Sequence, residues 1–131
     1  MTLAQTLNAV AAELIPWLNA LSANPDPQSQ ADATALTRVV NALLTDAMQA
    51  NALDLETKLA DATDAARRLA DLTASAAAQA KKLAQDQANV AKFISLATDV
   101  GKLLVAGAAG NIPGCATALL SACNDLGITT K

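Results

Sequence analysis

"LETKLADATDAARRLADLTASAAAQAKKLAQDQANVAKFISLATDVGKLLVAGA", residues 55–108, decides how the rest of the chain is read. Leu55, Leu59, Ala62, Ala66, Leu69, Thr73, Ala76, Ala80, Leu83, Gln87, Val90, Ile94, Ala97, Gly101, Leu104 and Ala108 alternate at spacings of four and three without a break. Thirteen of those sixteen are Ala, Val, Leu or Ile. An apolar repeat of this period, sustained over so many heptads, has the form of a coiled-coil seam. It predicts one helix over about 54–109, roughly 80 Å long if straight. Asp64 with Arg68, Arg67 with Asp71 and Lys82 with Asp86 are four apart, the spacing of charge pairs on a solvated outer face.

Upstream, Leu3, Leu7, Val10, Leu14, Leu18 and Leu21 line one face of a helix over about 2–22. Pro16 inside it removes a backbone donor and predicts a kink, with Trp17 placed to fill the space beside it. SANPDPQS (22–29) is the clearest loop, and Asp26 before Pro27 has the form of an N-cap followed by proline in the first turn. A second helix follows over about 27–50, with its stripe at Ala33, Leu36, Val40, Leu43 and Ala47. Asn51 is placed to end it and Asp54 to cap the next. No glycine or proline enforces that break, so a continuous second and third helix is the alternative.

Downstream, no side chain from Leu103 to Asn124 carries a charge. GNIPG (110–114) predicts a tight turn into a fourth helix over about 115–125, ended by Gly127, with Ile128–Lys131 trailing off. The side of the long helix that carries Ser95, Thr98, Asp99 and Lys102 continues as Val105, Ala106 and Ala109. A helix apolar all round is covered on every side, by protein or by lipid. Neither arm around the turn is long enough to span a bilayer. Gly107, Ala108 and Ala116 permit close backbone approach, so 103–123 reads as an apolar helical hairpin. Its possible destinations are the chain's own core, against the first helix, another subunit, or a membrane.

Composition narrows the functions. Alanine fills 33 positions and leucine 20, while Trp17 and Phe93 are the only aromatics. Such a core removes little apolar area per layer, which gives the chain a physical reason to associate. Nine basic against twelve acidic side chains leave a net charge of −3, without the basic face that nucleic acid requires. Histidine is absent, which removes Ser-His-Asp, Cys-His and His-ligated metal chemistry. Asp61, Asp64 and Asp71 are interleaved with Arg67 and Arg68 and read as surface, not as a metal site. No cofactor or metal is expected.

Cys115 and Cys123 are eight apart, roughly 12 Å along one helix and too far for a mutual disulfide. They read as small apolar core residues in a reducing compartment. The N-terminus has no basic n-region and carries Glu13 within its apolar pattern, so no cleaved signal is expected. The compartment expected is cytoplasmic, with export by a route lacking a signal peptide as the alternative.

The expected fold class is all-α, one domain over 1–131. It is either a four-helix antiparallel bundle or an extended coiled-coil hairpin, with one long helix and a short apolar C-terminal hairpin. The first two helices offer about 20 and 24 residues against a seam of more than 50. Part of the seam is therefore expected to meet another copy, another helical protein, or lipid. The function expected is non-catalytic: an assembly or partner-binding subunit that uses the seam and the hairpin as contact surfaces. Ile94, Leu96, Leu103, Leu104, Val105, Leu119 and Leu120 are the candidate contact residues. A small apolar hairpin on a long amphipathic stalk also resembles, in architecture alone, the α-helical pore-forming toxin components. That resemblance implies insertion of 103–123 into lipid.

Overall fold

The computed structural model describes residues 1–129 and folds them into a helical bundle. Its helices are α1 (Leu3–Ala23), α2 (Pro27–Leu53), α3 (Leu55–Lys58), α4 (Thr63–Leu83), α5 (Val90–Ala108) and α6 (Ile112–Asp125). No strand occurs among the described residues.

The termini of the first two helices follow from their capping residues. Thr2 and Gln5 form a capping box before α1: the Gln5 N–H donates to Thr2 Oγ1 at 3.1 Å, and the Thr2 N–H to Gln5 Oε1 at 2.9 Å. Pro16 lies on the exposed side of α1, which runs through it from Leu3 to Ala23. Asp26 caps α2 by accepting from the Ser29 N–H at 3.1 Å, and Pro27 fills the first turn, where a missing donor costs nothing. The stripe Ala33, Leu36, Val40, Leu43 and Ala47 is buried as a unit.

The long third helix expected over 54–109 is instead three helices. Asp54 adopts the left-handed conformation (φ 50°, ψ 60°) and ends α2 there, where its carboxylate accepts from Thr57 Oγ1 at 2.7 Å. α3 lasts one turn. Its exit tightens through three-residue bonds, Ala60 N–H to the Thr57 carbonyl and Ala62 N–H to the Leu59 carbonyl. The second break falls at QDQAN (85–89). Extended Asp86 accepts from the Ala88 N–H at 3.0 Å, while Asn89 Nδ2 donates to the Leu83 carbonyl at 2.9 Å. Polar side chains there take over hydrogen bonds that a continuous helix would have made. Gln87, a polar member of the seam, lies inside this break, and its Nε2 donates to Asp32 Oδ2.

Around the bundle, α1 packs on α2 and α4, α2 on α5, α5 on α6, and α6 on α4, which closes a ring. Gln87 meets Asp32 near the starts of α5 and α2, and Ala108 shares a groove with Leu53 near their ends, so these two helices run parallel. α6 returns antiparallel to α5, bringing Asp125 within 2.9 Å of Ser95 Oγ. Near the end of α1 and the start of α5, half-buried Trp17 and buried Phe93 meet edge to face, with ring centroids 5.8 Å apart.

Neither α4 nor α5 buries the seam as a whole: in α4, Ala65 and Leu72 lie one residue before the seam positions Ala66 and Thr73. In α4 the buried face is Ala65, Leu69, Leu72, Ala76 and Ala80. In α5 it is Phe93, Leu96, Val100, Leu103 and Gly107, each one residue before the seam positions Ile94, Ala97, Gly101, Leu104 and Ala108. One residue is about 100° of helix rotation. The rotated face buries a phenylalanine and leucines where the seam face offers mainly Ala and Gly, so more apolar area leaves water. Leu104 at the boundary is buried in both registers.

The hairpin lies inside the chain, against α2 and α4 and not chiefly against α1 as expected. Gly110 (φ 72°) takes the left-handed position after α5, with the Asn111 N–H bonded to the Ala106 carbonyl at 2.8 Å and the Gly110 N–H to the Gly107 carbonyl at 3.2 Å. Asn111 Oδ1 then accepts from the Gly114 N–H at 3.1 Å, so α6 begins at Ile112, earlier than the expected 115. Gly127 (φ 69°) repeats the device after α6, and Ile128 is buried there, with its N–H on the Cys123 carbonyl at 2.8 Å. Ile128 therefore packs where a trailing end was expected; Thr130 and Lys131 lie outside the described residues.

Candidate functional site

The seven candidate contact residues divide by environment. Leu96, Leu103, Leu104 and Leu119 are core, each no more than 4% exposed. Leu120 is half-buried on α6. Ile94 and Val105 face outward, at 45% and 72% exposure. The four core residues are therefore used within the chain, and only Ile94 and Val105 offer large free apolar surface.

Both belong to the outward stripe of α5, formed by Ile94, Ala97, Gly101, Val105 and Ala108, spaced three or four apart so that they share one side of the helix; Ile94, Val105 and Ala108 are exposed, while Ala97 and Gly101 are half-buried. Toward its C-terminal end this stripe borders a groove of about 340 Å³, lined by Gly101, Leu104, Val105 and Ala108 from α5 and by Gln49, Ala52 and Leu53 from α2. No charged side chain lines that groove. A Cβ added at Gly101 would meet nothing within 4 Å, so the surface between Ile94 and Val105 is open there. Leu44 and Met48, one turn apart on α2, are two further exposed apolar residues, at 41% and 76%. The α2 residues went unrecognised in the sequence because they lie off that helix's main stripe. Two large apolar residues four apart on its otherwise polar side were the available signal.

The opposite edge of α5 is polar, with Ser95, Thr98, Asp99 and Lys102, and it meets Asp125 of α6. Ser95 Oγ donates to Asp125 Oδ1 at 2.9 Å, while Asp125 Oδ2 is buried without an N–H or O–H donor. It faces the Asp99 carboxyl, so a hydrogen bond joins the two only when one of them holds a proton. Burial, then the Asp99 hydrogen bond and charge, push Asp125 up to about 7, against the opposing effect of Ser95.

The cysteines are built for packing. Both are buried and free. Burial raises Cys115, and burial followed by the charge of Asp71 pushes Cys123 up to about 11, with Arg68 opposing. A thiol so placed is a poor nucleophile at neutral pH. Arg68 is not a purely solvated residue paired to Asp64: its guanidinium reaches across to the Ala116 carbonyl at 2.8 Å and ties α4 to α6. Arg67 lies 4.0 Å from Asp64 instead.

Among the described residues, no group of three or more His, Cys, Asp or Glu side chains is placed to hold a metal ion. No helix among them is long and apolar enough to cross a membrane. No protein-family model, curated protein or solved structure matches the chain.

Proposed function

We propose that this chain is a non-catalytic helical assembly subunit whose contact surface is the outward stripe of α5 with the groove beside it, taken by the apolar face of another protein helix. One observation carries the reading: α5 keeps an uncharged apolar stripe, with Ile94, Val105 and Ala108 exposed and Ala97 and Gly101 half-buried, after a different face of the same helix has filled the core. A solvated helix normally spends its outer face on charged and polar residues. Val105 at 72% exposure, beside a groove without a charge, departs from that pattern. Helix-in-groove recognition reads such a surface through anchors spaced three or four residues apart. Membrane insertion of 103–123 has no comparable support, since Leu103, Cys115, Leu119 and Cys123 would all have to leave the core.

The test is light-scattering mass after size exclusion, across a concentration series, for the full chain and for Val105→Asp. The expected result is concentration-dependent association that Val105→Asp weakens roughly tenfold or more, with an unchanged melting temperature, because burying a valine-sized group is worth about 1.5–3 kcal/mol. A monomer at every concentration, with Val105→Asp indistinguishable from it, would overturn the reading.

A further inference from the structure

Resting on that reading, we infer that the occupant is a second copy of this chain, its α5 lying antiparallel to the first across a two-fold axis at Gly101. The sizes along the stripe carry this. Numbered outward from Gly101, the residue seven before is Ile94 and the residue seven after is Ala108; four before is Ala97 and four after is Val105. Each large side chain is therefore mirrored by a small one. An antiparallel copy centred on Gly101 sets Ile94 over the second copy's Ala108 and Val105 over the second copy's Ala97, on both sides of the axis. A parallel copy in register would set Val105 on Val105 and leave Ala97 facing Ala97, a clash beside a void.

Three further observations agree. The space above Gly101 is open, with nothing within 4 Å of an added Cβ, so the backbones can approach closely there. The two large residues of the stripe are both exposed, Ile94 at 45% and Val105 at 72%. The stripe holds no charge, so a self-complementary contact brings no like charges together within it. A closed two-fold contact of this kind uses the same patch on both copies and ends at the dimer.

Gly101→Leu separates this geometry from generic apolar adhesion. It adds apolar surface at an open position, so mere stickiness would tighten association, whereas a close crossing at Gly101 cannot accept it. The expected result is association roughly tenfold weaker or worse, with the melting temperature kept or raised because leucine favours helix over glycine. Paired cysteines then fix the register in the full chain. Ile94→Cys mixed with Ala108→Cys should cross-link under mild oxidation, while either variant alone should not. A dimer that Gly101→Leu tightens, or in which Ile94→Cys links to itself and the mixture does not, would overturn the antiparallel pairing and leave the assembly reading standing. A chain that is monomeric throughout removes both.

Discussion

α4 and α5 are cut from the same apolar repeat, yet they end up in different positions. α4 buries an alanine-rich face and gives its other sides to Asp64, Arg67, Lys81 and Lys82. α5 buries Phe93, Leu96, Val100 and Leu103 and still shows Ile94 and Val105 to the outside. The difference begins in the six residues between them, 84–89. Once Asp86 and Asn89 cap a break, the second helix packs apart from the first, against α2 and α6, and it turns its bulkiest face inward. A repeat long enough to look like one coiled coil then supplies a core face in one helix and a surplus apolar face in the next.

The largest expected effect compares the two faces of α5 directly. Leu103→Ala removes a fully buried side chain and should cost about 2–5 kcal/mol of stability in denaturant unfolding, whereas Val105→Ala should stay within about 0.5 kcal/mol for the monomer. Equal costs would mean that α5 does not distinguish its faces as described.

Next comes the break itself. Asp86→Ala removes the side chain that accepts from the Ala88 N–H and should cost about 1 kcal/mol, as the loss of a helix cap does. If that variant were more stable than the parent, the repeat would favour continuity and the contrast between α4 and α5 would lose its cause.

The smallest effect concerns the polar edge of α5. Asp125 holds a proton in the folded chain up to a pH of about 7, while the unfolded carboxyl releases it near 3.8. A raised carboxyl pKa means the folded state binds the extra proton between those values, so stability is greatest below about 4 and declines as pH rises through about 7. The carboxyl is partly solvated, so the shift in melting temperature between pH 5 and pH 8 should be a few degrees at most. Asp125→Asn should flatten that profile; an unchanged slope would remove the carboxyl pair as its source.

Much of the fold was legible in the sequence. The stripes of α1 and α2, the Asp26–Pro27 start and the turn at Gly110 follow from local rules that act within a few residues. The phase of α5 was not legible, because its choice between Phe93–Leu103 and Ile94–Leu104 is made by the volume available in the assembled core. Gln87 was the visible warning: a polar residue on a seam, next to two good capping residues. The candidate contact residues were half legible for the same reason. Uncharged character marked 103–123 as covered, but burial within the chain and burial by a partner leave the same composition. Only Ile94 and Val105 emerged on the free side.

Spin labels at Ala70 and Ala109, both exposed, test the folding back of the 55–108 repeat most directly, by pulsed electron–electron distance measurement on the full chain. One continuous helix would hold them about 58 Å apart. In the folded-back bundle they lie on different helices, and the expected distance is under roughly 30 Å. A distribution centred near the longer value would contradict the break at Asp86 and, with it, the surplus face on α5.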